Sequence, residues 1–355
     1  MKHTYLILGI CIGCLFTACK PDFDLNATYQ DVTVVYGILN YQDSIHYVKI
    51  YKGFQSHVQG GVYIDAQNPD SIYYYDKIDV VLQEYNNGKP TQRPNIPLYI
   101  THDFPRDVGI FYYDKEKILY YTKEEIKKGY SYKIKITNRI TGKVTEGMAP
   151  VISDFHIIAP YQINMASPII RLRFEKAPAA SDSCYEFLTR LHYFEVNRTN
   201  KEVTRGSIEK IITNVGEYYE EDKEGYFNKT FSATFYEDLA TKLKPNSGVI
   251  RYLGFPEGGP DDTQAPIHID GWAAGTSMKN YMLSNKPSSS FVQVNTYYTN
   301  MEVTAGEGLA YGFFSSIVQS PRQECILKNP ISEDSLVLGS ITRHLGFRYR
   351  HEYRP

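Results

Sequence analysis

Apolar and polar residues alternate with a period of two along much of this chain, the pattern of strands wetted on one face. In Tyr130-Ser131-Tyr132-Lys133-Ile134-Lys135-Ile136-Thr137, tyrosine and isoleucine fall on one side and Ser, Lys and Thr on the other. Val32 to Tyr36 and Ile45 to Tyr51 flank a turn around Asn40 to Asp43 and predict a hairpin. Lys77 to Tyr85 alternates as far as Asn86-Asn87-Gly88, whose Asn-Gly step accepts the positive φ angles of a tight turn. A further strand is expected near Pro97 to Thr101, and a turn at Thr141-Gly142-Lys143 leads into a last strand ending at Pro150. Short strands spaced by turns predict an N-terminal immunoglobulin/fibronectin-like β-sandwich over residues 28–150.

Beyond Val151 the pattern continues with longer elements. Ile170, Leu172 and Phe174 oppose Arg171 and Arg173, and Tyr185 to Val196 is a second strand candidate. Thr234 to Lys244 has the best helical pattern, stopped by Pro245 and Asn246. The stretch from Phe255 to Thr276 is rich in Gly, Pro and Asp and reads as a long connection, a kind of segment that tends to be functional. The expectation is a second β-rich domain with one or two helices over 151–340. A basic tail over 341–355, including Arg343, Arg348, Arg350 and Arg354, would follow it.

The first residues change the picture from fold to address. Lys2 and His3 precede the apolar run Tyr5 to Phe16, and Thr17-Ala18-Cys19 closes it. A charged n-region, an apolar stretch too short to span a bilayer and a small residue ahead of a cysteine predict a lipoprotein signal peptide over 1–18, lipidated at Cys19. The alternative is an ordinary secretory peptide or an uncleaved anchor. Residues 19–27 form a tether in which Asp22 and Asp24 resemble the acidic signal of surface-exposed Bacteroidota lipoproteins, with Pro21 interrupting it. The expected location is the outer membrane, at the cell surface, held by lipid such as palmitate.

Composition then narrows the partners. Hydrophobic residues at 42% and charged residues at 22% fit a folded protein, and a net charge of −2 creates no field that would recruit nucleic acid. With Cys11 and Cys14 in the leader, only Cys184 and Cys325 remain after Cys19. In an oxidising envelope they are candidates for a disulfide constraining the unfolded chain by about 4 to 5 kcal/mol. Two separate buried thiols are the alternative. Tyrosine is the outlier, 32 of 355 residues, often in neighbouring pairs such as Tyr120-Tyr121 and Tyr297-Tyr298. In a sheet such a pair sends one ring inward and one toward water, so many exposed rings are expected; they suit sugar or peptide contact, and high strand propensity with sheet covering is the other reading of the surplus.

Catalytic signatures are largely missing: there is no His-Glu-x-x-His, nucleophile elbow, phosphate loop, dinucleotide turn or Cys-x-x-Cys. Ser207 and Lys210 have Ser-x-x-Lys spacing without the motifs that accompany it in acyl-transfer enzymes. Asp261, Asp262, His268 and Asp270 are weak candidates for a divalent ion, in a spacing that matches no recognised metal loop. Asp-Ser-aliphatic triplets at Ser44, Ser71 and Ser335 are similar to O-glycosylation sites of exported Bacteroidota proteins. No cofactor is expected.

Val34-Val35-Tyr36-Gly37-Ile38-Leu39-Asn40 with Tyr47-Val48-Lys49-Ile50, the segment Tyr130 to Thr145, YEFLTRLHYFE from Tyr185 and YYTNMEVTAGEGLAYGFFSS from Tyr297 to Ser316 together carry a family likeness. In that order they resemble the Bacteroidota outer-membrane lipoprotein family called domain of unknown function 4249. The last motif departs from that family's compact Asn-Ile-x-x-Gly-x-Gly-Ile-Phe. The resemblance implies a lipid-anchored accessory to a TonB-dependent transporter and transfers no catalytic residue. The leading expectation is therefore a non-catalytic binding or assembly component that takes a glycan or peptide in nutrient capture. A structural or adhesive envelope protein is the alternative, and a hydrolase the third.

Overall fold

The computed structural model describes residues 30–53, 68–105, 116–178, 184–212, 219–257, 265–285, 297–328 and 330–354. Cys19 with its leader, Asp261 and Asp262 lie outside these residues. The protein is mostly β. Its first half contains β1 (Val32–Leu39), β2 (His46–Gly53), the short helix α1 (Pro69–Ile72), β3 (Ile78–Asn86), β4 (Lys89–Pro90), β5 (Ile96–Pro97), β6 (Tyr99–Pro105), β7 (Glu116–Thr122), β8 (Ser131–Asn138) and β9 (Val144–Pro150).

The expected hairpin forms, with β1 and β2 antiparallel and Val35 opposite Ile50. Asn87 at φ 47° and Gly88 at φ 75° make the tight turn between β3 and β4. Alternation sorts the faces: Val35 and Leu39 of β1 and Val48 and Ile50 of β2 enter a core shared with Leu82, Tyr132 and Ile134. Tyr36, Tyr47, Lys49 and Tyr51 take the opposite side. Tyr120 is buried and Tyr121 half-buried, as a strand pair requires. Tyr73 and Tyr74, between α1 and β3, are both buried, because this segment is not a strand.

The second half contains β10 (Ile157–Ala159), β11 (Gln162–Ile163), β12 (Ile169–Glu175), β13 (Cys184–Asn197), β14 (Val203–Ile211), β15 (Glu220–Glu221), β16 (Tyr226–Ser232), α2 (Phe235–Lys242), β17 (Val249–Leu253), β18 (Ile267–Ala274), α3 (Thr276–Ser284), β19 (Met301–Ala305), β20 (Leu309–Gln319), β21 (Gln323–Leu327) and α4 (Ile331–Leu338). Its core stacks Phe174 of β12 on Tyr185 and Phe187 of β13, with centroids 4.9 and 4.7 Å apart. Aromatic pairs at such distances add about 1 kcal/mol each beyond the area they bury.

Two expectations are revised, and the tail over 341–355 gains a packing role. The connection expected from Phe255 to Thr276 contains β18, a strand between β13, β20 and β21. Its sequence IHIDGWAA is buried at every position but Trp272, so no polar alternation marks it. Among the described residues the second half has three α-helices, where one or two were expected. The basic tail is packed: Arg350 is 9% exposed, its guanidinium lies 5.1 Å from the Phe194 ring and 4.9 Å from that of Tyr353, and it donates to Phe255 O at 2.7 Å.

The sandwich expected over 28–150 also recruits strands from near the end of the chain. β19 pairs antiparallel with β9, and β20 pairs in parallel with β1 from Val32↔Leu309 to Leu39↔Ser316. Met301 and Phe314 enter the first core. The last residues of β20 then pair with β18, Ala274 opposite Ile317. One sheet of eleven strands therefore runs through both halves in the order β11-β21-β18-β20-β1-β2-β7-β6, with β13, β14 and β17 joined through β18. A six-stranded sheet, β19-β9-β8-β3-β4 with β5 on β3, shares one core with it, and a four-stranded sheet, β10-β12-β16-β15, shares the other. Both cores lie on the same face of the long sheet, since Phe314 and Val318 of β20 point into them in turn.

Candidate functional site

The opposite face of the long sheet carries the candidate site. On β13, Tyr185, Phe187 and Leu191 enter the core, so Glu186, Leu188, Arg190 and His192 project the other way. Register places Glu186 opposite Trp272, Leu188 opposite Asp270 and Arg190 opposite His268. Helix α3 lies over β20 on this face: Met278 N donates to Ser315 Oγ at 3.3 Å, and the Tyr281 ring packs 4.5 Å from Phe313 and 5.7 Å from Tyr36.

Three areas result. Beyond α3 toward β6 runs a row of rings, Tyr47–Tyr121–Tyr99, with centroids 6.3 Å apart at each step, beside a Tyr36–Tyr51 stack at 6.1 Å. Tyr99 is 59% exposed, so part of the tyrosine surplus does face water. On the other side of α3 a cavity of about 180 Å³ is lined by Cys184, Glu186, Trp272, Met278, Met282 and Ile317. Next to it sits a polar cluster on β13 and β18.

Asp270, 2% exposed, holds two guanidiniums: Arg190 Nη1 reaches Oδ2 at 3.1 Å and Arg322 Nε reaches Oδ1 at 2.9 Å. Arg190 Nε also donates to Glu209 at 2.8 Å. Beside this clamp His192 Nε2 and His268 Nδ1 face each other at 3.2 Å, and the Phe255 ring lies 4.7 and 5.8 Å from the two imidazoles. Burial first, then His268 and the neighbouring arginines, pull the His192 pKa down to about 4. Burial, then Arg322, lowers that of His268. Both rings are neutral at pH 7, so one nitrogen of the pair donates and the other accepts.

This arrangement holds charges in place more readily than it moves protons. Both Asp270 oxygens are occupied by permanent cations, which removes the carboxylate as a base. Ser207 is opposite His192 in the β13–β14 register, yet no hydrogen bond joins their side chains. Ser207 and Lys210 lie three apart on β14 and so on opposite faces, and Lys210 pairs with Asp238 instead.

Of the weak metal candidates, His268 and Asp270 share a face of β18, with Asp270 committed to arginine. Among the described residues no three His, Cys, Asp or Glu side chains gather to hold an ion. Cys184 and Cys325 are both buried and are not bridged to each other. They stand opposite Ala274 and Ile267, at the two ends of β18. Seven strand residues separate those positions by roughly 23 Å, far beyond the Cα spacing of a disulfide. Burial pushes the Cys325 thiol up to about 12. Ser44 is exposed in the β1–β2 turn, whereas Ser71 in α1 and Ser335 in α4 are half-buried.

Glu186, Arg190, His192, Trp272 and Arg322 were not singled out by the sequence reading. The signal for the first three was present as the polar phase of the YEFLTRLHYFE alternation. No helix among the described residues is long and apolar enough to cross a membrane. No family model matches this chain, and no curated protein matches it.

Proposed function

We propose that this protein is a lipid-anchored, non-catalytic binding or assembly component of the bacterial outer membrane, exposed at the cell surface and working with a TonB-dependent barrel in nutrient capture. The leader over 1–18, followed at once by Cys19, carries the reading. The resemblance to domain of unknown function 4249 supports the choice of partner. The geometry supports a binding role, for the long sheet has its two cores on one side and a cavity and the tyrosine row on the other. The stretch from Cys19 through the tether to Val32 spans at most about 45 Å when extended. It would keep β1, and with it the first sandwich, near the bilayer.

Metabolic labelling with a clickable palmitate tests the anchor. Label and membrane association should both be present in the wild type and lost in Cys19→Ala; label that persists in the variant, or wild type found in the soluble fraction, contradicts the proposal.

A further inference from the structure

The residues around the 180 Å³ cavity share a chemistry that their neighbours leave unused. Trp272, the single tryptophan of the chain, is half-buried and contributes the ring type with the strongest attraction for a cation. Met278 and Met282 supply polarizable thioethers from α3. Glu186 is directly opposite Trp272 across the β13–β18 ladder, which places their Cβ atoms about 5 Å apart. Its side chain is exposed and has no hydrogen bond or ion pair among the described residues. The next cation along that face, Arg190, is already bound by Glu209 and Asp270. A carboxylate without a counter-charge at the mouth of an aromatic, thioether-lined cavity is complementary to one ligand class.

We propose that the cavity binds an organic cation, whose alkylammonium head rests against Trp272 with Glu186 as counter-ion. An anion would meet the Glu186 charge, and a neutral group would gain nothing from it. The volume suits one small substituted ammonium group rather than an extended chain. The inference rests on the binding reading above and adds a ligand class to it.

Because the chain has one tryptophan, its emission reports on this cavity alone. The full-length protein in a non-ionic detergent would be titrated with choline and with 3,3-dimethylbutan-1-ol, the uncharged isostere. Choline should change Trp272 emission saturably, and the isostere should bind about tenfold more weakly or not at all. Glu186→Gln, at an exposed position, should weaken choline about three- to fivefold with an unchanged circular dichroism spectrum. Equal binding of the isostere, indifference to Glu186→Gln, or a flat emission would overturn the assignment. Calorimetry with glycan and peptide pools separates the two readings. Heat from those probes alongside a flat Trp272 response removes the cation site and leaves the binding function, whereas no heat from any probe removes both.

Discussion

Lys143 is 1% exposed, and its ammonium ties three distant parts of the chain together. Nζ donates to Asp31 O at 2.6 Å and to Leu309 O at 3.1 Å, and lies 3.4 Å from the Asp31 carboxylate. Lys143→Met keeps the aliphatic stem but leaves two carbonyls and a carboxylate without their donor, and should cost about 3 kcal/mol in urea unfolding at pH 7. A loss below about 1 kcal/mol would show that water replaces the amine. Three histidines set the acid side of stability. Burial lowers the pKa of His46, both of whose ring nitrogens lack a hydrogen-bond partner among the described residues, as it does those of His192 and His268. The unfolded chain takes up protons near pH 6.5 that the folded chain refuses until lower pH. Their contribution is therefore complete above pH 6.5 and is lost as pH falls toward 4, the folded value for His192. The urea midpoint should drop across that window, and His192→Gln should flatten the drop. An unchanged slope would contradict the assignment. At this scale the sequence was readable where local rules decide, as at Asn87-Gly88. It was opaque at Arg350 and Asp270, whose burial depends on partners 95 and 52 residues away.

Among the elements, β20 is the one on which both halves depend. Its first residues pair with β1, its last with β18. Gly312 sits at φ 94°, where an added Cβ would also strike the Val35 carbonyl oxygen. Backbone cannot yield there as a flexible side chain would, so Gly312→Ala should destabilise by about 3 kcal/mol or more. Hydrogen exchange should then quicken in β1 and in β18 alike; acceleration confined to β1 would mean the halves are not coupled through this strand. The hairpin β1–β2 was legible because its two strands alternate and a short turn joins them. β18 was not, since a strand buried on both faces and built of Gly271, Ala273 and Ala274 presents the composition of a loop. The β1–β20 pairing, across more than 270 residues of sequence, leaves no local trace.

For the whole molecule, the continuous sheet predicts that the halves unfold together. Trp272 emission, which reports on the second half, and far-ultraviolet dichroism, which reports on all strands, should give one coincident urea transition. Two separated transitions would contradict the continuity. Strand content was visible in the alternation, whereas the shared sheet and the face opposite its cores emerge only from long-range register. The proposed place of work is the outer membrane, reached through a lipid on Cys19 and the face of the sheet opposite its cores. The most direct measurement is co-purification of the full-length lipidated protein from mildly solubilised outer membranes, with partners quantified by mass spectrometry. A TonB-dependent barrel should be recovered in stoichiometric amount; recovery of the protein alone, under conditions that keep known barrel complexes intact, would contradict the proposed partnership.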